Sequence, residues 1–451
     1  MDEAKLLRDF EPVYEYLDGH NIYEVRNLAR AFGINSPTSE KKHALIVRLI
    51  GVASGMAPPE QRSNKGARVK ASDASAERVA KVRSLIEECA AQLVYPPAGE
   101  PPRLEFHDAD PARRGYGERC LLGMVETNGR GPAFLRAADG SSSESDPVIS
   151  EKKVRAYRLR DGDLISGYVS AEKGGPAEMT EFSAVNGAQP LFIERPLFDE
   201  LPAVYPEERV PLGAGGNAAL CAADYLCPVG KGQRAMICGR PGTGKSLLVR
   251  EAAASVQRAM PEAELLFILP AFRPEEETEL REMFPRAAVL ACAYGRPAGN
   301  FARNAKLLAE RAKRVAESGR DAVLLVDSLD ALARVFREAP AQNAVYECEK
   351  LFTVGRQLRG AGSVTVLAVA PDEAGEIAQA CAGAANAVLY LAEEAAAPGV
   401  YPAIDFFRSA TRRAETLLRE EEAAFARTLR ETLADEGAEA MLRRAQEGPQ
   451  N

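Results

Sequence analysis

Hydrophobic and polar positions change their spacing several times along the chain, and each change marks a predicted structural unit. Near the N-terminus, apolar residues recur at helical spacing, which predicts a helix over 22–32 and a second over 40–50. Gly33 is placed to end the first helix, and 35–38 (Asn-Ser-Pro-Thr) predicts a turn. Residues 1–50 are therefore predicted to form a small helical module.

Basic residues are frequent in and after this module. The second predicted helix carries Lys41, Lys42 and Arg48 on its polar face, which could contact a phosphate backbone or simply be solvated. Residues 51–115 contain proline pairs and a basic first half, and predict a linker with one helix around 76–93. The basic residues of the linker favour solubility, with weak non-specific nucleic-acid affinity as the alternative.

Residues 116–190 predict a small OB-like β-barrel, because short apolar segments alternate there with turn dipeptides. The strand candidates are 121–125, 133–136, 148–149 and 164–169. OB-like barrels bind single strands by stacking bases on aromatic rings. Phe134 offers such a ring, with Tyr157 and Tyr168 as further candidates, so the residues alone give a weak signal for RNA binding.

Residues 191–451 alternate apolar runs with helical stretches such as 304–318. The runs are 265–269, 288–291, 322–327 and 364–369. Unbroken apolar runs suit parallel strands that are buried on both faces, which predicts a doubly wound α/β domain. The heavily charged segment 413–447 predicts a helical C-terminus.

A phosphate-binding loop stands inside this domain. It matches G-x-x-x-x-G-K-[ST] and consists of Gly239, Arg240, Pro241, Gly242, Thr243, Gly244, Lys245 and Ser246. A predicted strand at 235–238 precedes it and a predicted helix from Leu247 follows, which argues against a chance match in a glycine-rich turn. Glycines let backbone N–H groups turn inward around an anion, and the helix start adds free donors. Lys245 is expected to reach the phosphates of ATP, and Ser246 to hold Mg²⁺.

Asp327 is the second candidate for this site. It ends an apolar strand, where an acidic residue can hold Mg²⁺ beside a phosphate loop. A strand-end aspartate would be weak evidence alone, and the phosphate loop strengthens it. The sequence thus predicts an ATP and Mg²⁺ site.

Composition narrows the class of protein. The 451 residues suffice for two to four domains, and 46% hydrophobic with 27% charged residues is typical of soluble proteins. Without a membrane-length apolar run or a signal-peptide pattern, a cytoplasmic protein with no membrane partner is expected. Eight cysteines without a C-x-x-C pair argue for reduced thiols and against zinc, and three histidines argue against His-based catalysis. A net charge of −8 does not exclude nucleic acid, since local patches decide binding.

Several segments, taken together, resemble the bacterial transcription termination factor Rho family. They are 195–201 with 205–209, 228–234, 273–276, 326–329 with 332–334, and 401–405 with 408–412. The resemblance covers most of the chain and implies a RecA-like P-loop ATPase domain in a ring-shaped homo-hexamer. It also implies that ATP lies between subunits, that single-stranded RNA is captured on the barrels and drawn through the ring, and that RNA polymerase is released.

The resemblance also assigns roles beyond the phosphate loop and the strand-end aspartate. Tyr401 would stack on adenine, and Arg273 would lie in the nucleotide site. Arg412 would be an arginine finger that reaches the γ-phosphate held by the neighbouring subunit. Phe134 and Arg136 would contact RNA on the barrel.

The chain departs from the family at positions that serve ATP hydrolysis. The family has a water-polarising glutamate where this chain has Phe272, and a phenyl ring cannot orient water or take its proton. It has an arginine in the nucleotide site where this chain has Asp330, which would place a negative charge beside the γ-phosphate. A basic interface residue is replaced by Gly399. Glu275 or Glu276 could substitute for the missing base.

RNA-contacting positions differ as well. The pore pattern Lys-Gly-Thr-Gly is replaced by Ala-Gly-Ala-Ala at 382–385, the other pore loop is shortened to 335–342, and the barrel segment 131–134 lacks one stacking aromatic. A further tyrosine of the family falls at Val148. Because nucleotide-holding positions persist, we predict a Rho-like termination factor that binds ATP and RNA and hydrolyses ATP poorly.

Two other functions remain open from the sequence. One is a fully active RNA-dependent ATPase and helicase that releases transcripts from RNA polymerase. The other is a RecA-like or rotary-ATPase-like subunit without an RNA role, against which the barrel and the N-terminal module argue. A hydrolysis-deficient relative could also mix into rings of a true Rho.

Overall fold

The computed structural model describes most of the chain. The described residues are 6–7, 9–34, 37, 40–54, 57, 74–94, 119–129, 131–171, 177–188, 195–294, 299–338, 343–371, 374–393 and 401–449. Outside them lie the turn predicted at 35–38 except Pro37, much of the linker predicted at 51–115, part of the pore segment 335–342, and Gly399.

The N-terminal module is built from helices α1 to α4. Their bounds are Glu11–Asp18, Ile22–Ala31, Lys42–Ala53 and Ala76–Val94. A capping box starts α2: the Asn21 side chain accepts from the backbone of Tyr23 and Glu24, and the Glu24 carboxylate accepts from the Asn21 N–H. The helices share one apolar core, which α4 joins through Val82 and Ile86. The helix expected within the linker therefore packs against the module.

The basic side chains of α3 are engaged in ion pairs. Lys42 lies 2.9 Å from a carboxylate oxygen of Asp18, and Arg48 pairs with Glu40. Pairing partly neutralises both charges, which favours a solvated helix face over a phosphate contact.

Strands β1 to β5 form a closed barrel in the order β1-β2-β3-β5-β4. Their bounds are Arg119–Glu126, Ala133–Arg136, Val148–Ile149, Leu164–Ala171 and Ala177–Val185, and helix α5 spans Glu151–Ala156. Inward-facing side chains fill the barrel, as in β5, where Met179, Phe182 and Val185 are buried. The barrel prediction is confirmed, and β5 and α5 add to the elements expected.

A second sheet with helices on both faces forms the rest of the fold. Its strands are β6 (Ala203–Val204), β9 (Arg234–Gly239), β10 (Glu264–Phe272), β11 (Ala288–Ala293), β12 (Asp321–Val326), β13 (Arg356–Leu358), β14 (Ser363–Ala370), β15 (Ala387–Leu391) and β16 (Ala410–Thr411), and β7 (Arg209–Val210) pairs separately with β8 (Val229–Gly230). The main order is β11-β10-β12-β14-β9-β15-β16, parallel from β11 to β15. The doubly wound prediction is confirmed.

Helices α6 to α14 cover this sheet and extend to the C-terminus. They span Ala218–Leu226, Lys245–Ala259, Pro274–Met283, Phe301–Glu317, Leu329–Glu338, Ala344–Phe352, Glu376–Ala382, Glu420–Asp435 and Ala438–Glu447. Among the helices of the described residues, none combines the length and apolar character that a membrane crossing requires.

The central strands are buried on both faces, as β14 illustrates. Val366 and Ala368 belong to the apolar core on one side of the sheet, and Leu367 and Val369 to the core on the other. This two-sided burial is why such strands occur as unbroken apolar runs in the sequence. Because β9 and β12 are parallel, the phosphate loop and Asp327 meet at the same edge of the sheet.

The barrel docks on α9 through buried charges. Arg160 of the barrel donates to Glu317 of α9 at 2.8 Å. Arg311, also on α9, is fully buried. It donates to both carboxylate oxygens of Glu264 at 2.7 Å and to the side-chain oxygen of Asn186 at 2.7 Å. These bonds fix α9 between the barrel and the sheet.

Replacing Arg311 by methionine should lower the free energy of unfolding by about 3–5 kcal/mol. Glu264, whose side chain is 19% exposed, would lose the arginine that donates to both of its oxygens and keep only Arg320, at 3.7 Å. Chemical denaturation measures this loss. The double variant Arg311→Met with Glu264→Gln should recover part of it, and Arg286→Met, at an exposed position, should change stability by less than about 0.5 kcal/mol. An unchanged midpoint in Arg311→Met would contradict the role assigned to this pair.

Candidate nucleotide and RNA sites

The phosphate loop connects β9, which ends at Gly239, to α7, which begins at Lys245. Gly242 and Gly244 both have a φ of +89°, a left-handed conformation that glycine adopts without strain. Thr243 is buried, and its hydroxyl donates to the Arg240 carbonyl at 2.9 Å. The loop is thus closed by its own side chain and shaped by glycine, as anion cradles require.

Three side chains meet at the start of α7 and the end of β12. The Lys245 ammonium donates to the Arg240 carbonyl at 2.5 Å, and the Ser246 hydroxyl donates to Asp327 at 2.7 Å. Burial raises the pKa of Asp327, although the hydrogen bond from Ser246 and the charge of Lys245 act in the opposite direction. Burial lowers the pKa of Lys245, which Asp327 opposes. A hydroxyl and a carboxylate oxygen this close fit the oxygen ligands that Mg²⁺ prefers.

Tyr401 stands beside the loop with 41% of its surface exposed. A Cβ built on Gly244 would lie 3.2 Å from the Tyr401 ring, so the ring and the loop are in near contact. Two hydrogen bonds hold the segment: the Ala403 N–H donates to the Thr243 carbonyl at 3.1 Å, and the Asn217 amide donates to the Tyr401 carbonyl at 3.0 Å. An aromatic face is therefore available to a nucleotide whose phosphates occupy the loop.

The remaining predicted nucleotide-site residues are less enclosed. Arg240 and Pro241 are exposed on the loop, and Leu247 is half-buried on the first turn of α7. Arg273 is exposed at the end of β10, with its guanidinium 3.8 Å from the Glu276 carboxylate. The Arg240 guanidinium lies 4.0 Å from the Glu393 carboxylate, so both arginines have an acidic neighbour.

Arg412 lies at the other end of the strands. Its N–H donates to the Asn386 carbonyl at 2.8 Å, immediately before β15 begins. Since β15 runs parallel to β9, this is the edge of the sheet opposite the phosphate loop of the same chain. The exposed Arg412 side chain is therefore separated from its own loop by the length of the strand.

Phe272 ends β10 and is buried in the apolar core. The side chain at this position is thus packed as a hydrophobic residue.

Asp330 lies in the first turn of α10, three residues after Asp327. Its charge adds to the effect of burial, which raises the pKa values of the Cys348 and Cys381 thiols to about 12. That it would place a negative charge beside the γ-phosphate stays a prediction.

Glu275 and Glu276 lie in the first turn of α8 and differ in exposure, since Glu275 is exposed and Glu276 is half-buried. Glu279, one turn further along α8, accepts from Arg250 of α7 at 2.9 Å through both carboxylate oxygens. This ion pair joins α8 to α7. Glu276 also raises the pKa of Asp327 through its charge, whereas Glu275 is exposed. The sequence suggested these two glutamates equally, and packing separates them.

On the barrel, Phe134 is half-buried in β2. The prediction for Arg136 changes: its side chain is buried, pairs with Glu126 and Asp146, and lies over the Phe134 ring. It therefore supports Phe134 and leaves little surface for contact with a phosphate. Tyr157 packs edge-on against Phe182 inside the barrel, which argues against stacking on bases.

Comparison with known proteins gives two family matches. Residues 121–190 match the Rho termination factor RNA-binding domain, and 219–411 match the nucleotide-binding domain of the ATP synthase alpha/beta family. The chain is 35% identical to transcription termination factor Rho of Streptomyces coelicolor over 72% of this chain and 82% of that protein. It is 32% identical to the Rho of Streptosporangium roseum over 79% of this chain and 94% of that protein. It is 31% identical to the Rho of Escherichia coli over 66% of this chain and 77% of that protein. The chain belongs to the family of transcription termination factor Rho.

Membership of the Rho family agrees with the fold: an OB-like barrel of the RNA-binding type precedes a RecA-like ATPase domain. A solved ATPase of the type III secretion system is 21% identical over 57% of this chain and 78% of its own, with a TM-score of 0.45. The identification of the Rho family from sequence segments is confirmed.

Proposed function

We propose that this protein is a Rho-family factor that binds ATP with Mg²⁺ at the phosphate loop and single-stranded RNA on the barrel, and that its ATP hydrolysis is impaired. The observation that carries the last point is Phe272, an apolar ring packed in the core at the position where the family resemblance implies a glutamate. General bases contribute about 10²- to 10⁴-fold to rate, so their loss slows hydrolysis while leaving binding intact.

The nucleotide is held by groups that converge on the loop. Lys245 and the backbone N–H groups at the start of α7 bind the phosphates. Ser246 and Asp327 supply oxygen ligands to Mg²⁺, which neutralises phosphate charge when it is bound. The Tyr401 ring stacks on adenine, and Asn217 holds the backbone that carries this ring.

Membership of the Rho family suggests which partners this protein has. The names of the relatives describe transcription termination, and we propose that this chain also acts on RNA polymerase in the cytoplasm. We further propose a ring-shaped homo-hexamer, or mixed rings with a second Rho. Arg412 supports a ring, because it lies at the sheet edge opposite its own loop and is exposed to reach a neighbour.

A second candidate function is a fully active RNA-dependent ATPase and helicase. The observation in its favour is Glu276, whose charge acts on Asp327 and which could orient the attacking water in place of a glutamate at position 272. The two candidates share every binding residue and differ only in turnover.

The experiment measures ATP binding and ATP turnover by the full-length protein, with and without poly-pyrimidine RNA. Our proposal expects MgATP and RNA to bind, and turnover to stay near background when RNA is added. Turnover that RNA stimulates would establish the active alternative. Absence of RNA binding would instead indicate a RecA-like subunit without an RNA role.

A further inference from the structure

A side chain of the ATPase domain reaches into the barrel. Arg303 lies on α9, and its Nε is 2.8 Å from one carboxylate oxygen of Glu126, at the end of β1. Glu126 is buried, and its second carboxylate oxygen accepts from the Nε of Arg136 on β2. One carboxylate thus joins an arginine of each domain.

The chain of contacts continues to the aromatic ring that we assign to RNA. A terminal nitrogen of Arg136 donates to Asp146 at 2.8 Å, and its guanidinium carbon lies 4.5 Å from the centre of the Phe134 ring. We call Glu126, Arg136, Asp146 and Arg303 the Glu126 cluster. The positive charges of its two arginines balance the negative charges of its two carboxylates. Arg136 covers one face of the Phe134 ring.

We propose that Arg303 is a positioning residue of the RNA-binding surface, which holds the Phe134 ring in its base-stacking orientation through Glu126 and Arg136. The proposal rests on the RNA-binding role proposed for Phe134. With one face of the ring covered by Arg136, a base stacks on what the ring leaves exposed. The ATPase domain therefore completes a binding surface that the barrel sequence alone leaves unfinished.

Loss of Arg303 acts on Phe134 in a definite way. Without it, the carboxylate oxygen of Glu126 that faced Arg303 needs a new donor, and Arg136 is the cation already in contact with this group. A shift of Arg136 toward that oxygen would remove its support from the ring, which costs stacking affinity for every base.

The test measures the binding of a labelled single-stranded oligo-uridine RNA to the full-length protein by fluorescence anisotropy. Arg303→Gln should weaken binding about 5-fold, and Arg303→Lys, which keeps the charge, should restore most of it. The control is Lys306→Gln, which removes a cation one turn along the same helix; its ammonium pairs with Glu347 at 2.9 Å and leaves the barrel untouched. This control should change affinity less than 2-fold.

A double-mutant cycle separates positioning from general charge. Phe134→Ala alone should weaken RNA binding about 5-fold or more, and Arg303→Gln should add almost nothing in that background. Equal losses from Arg303→Gln with and without Phe134 would overturn the proposal, because the effect would then be electrostatic. No loss from Arg303→Gln would overturn it too. If Phe134→Ala binds RNA with wild-type affinity, the RNA-binding surface proposed for the barrel is itself wrong, whatever the effect of Arg303→Gln.

Discussion

Replacing Lys245 by alanine is expected to weaken MgATP binding by about 100-fold or more, the largest effect on affinity that we predict for this chain. Lys245 is half-buried at the start of α7, and its charge acts on Asp327, which accepts a hydrogen bond from Ser246. Phosphate oxygens bound there would lose a charged partner in an enclosed position, and truncating one side of such a pair costs about 2–5 kcal/mol. Isothermal calorimetry with a non-hydrolysable ATP analogue measures the affinity.

The control is Lys350→Ala, which removes an exposed cation from α11 and should leave affinity unchanged. Binding to oligo-uridine RNA should also survive in Lys245→Ala, since the RNA contacts that we propose lie on β2 of the barrel and involve no residue of the phosphate loop. Wild-type affinity for the analogue in Lys245→Ala would mean that the nucleotide binds elsewhere, and the proposed site would be wrong.

Replacing Phe272 by glutamate is expected to raise ATP turnover by about 100-fold. The position ends β10, next to the strand that carries Asp327, and a carboxylate there can take a proton from the attacking water. The substitution exchanges a buried ring for an acid, so some loss of stability accompanies the gain in rate. Phosphate release from saturating MgATP, with and without poly-pyrimidine RNA, measures the rate.

The matched control for this gain is Phe272→Gln. It removes the same ring and introduces a side chain that has the size of glutamate and cannot act as a base. It should lose a similar amount of stability and show no rise in turnover. A rise in both variants would attribute the effect to removal of the ring, and no rise in Phe272→Glu would show that the missing glutamate does not limit the rate. High wild-type turnover that Glu276→Gln abolishes would favour the active alternative.

The central strands illustrate what could be predicted from the sequence. The runs 265–269 and 364–369 are apolar without interruption, because both faces of these strands are covered by helices. The phosphate loop was equally predictable, because its glycine positions and its Lys-Ser pair are local requirements of one turn. Structure that depends on neighbouring residues can therefore be predicted from a short stretch of sequence.

Residues whose role depends on a distant neighbour were harder to predict. Arg136 is predicted to contact RNA, and the structure shows its side chain buried between Glu126 and Asp146. Asp330 is predicted to lie beside a phosphate, and the structure adds that its charge acts on two buried thiols. A charge in a sequence carries no information about the direction in which its side chain points.

The sequence by itself determined the order of units, the strand and helix types, the phosphate loop and the membership of the Rho family. Only the tertiary structure decided which of two adjacent glutamates acts electrostatically on Asp327, that Arg412 lies away from its own loop, and that Arg303 joins the barrel to the ATPase domain. The physical reason is how far apart in the sequence the interacting residues lie. Backbone conformation and burial periodicity are set by neighbouring residues, whereas ion pairs between β1 and α9 join positions far apart in the chain, which only the completed fold brings together.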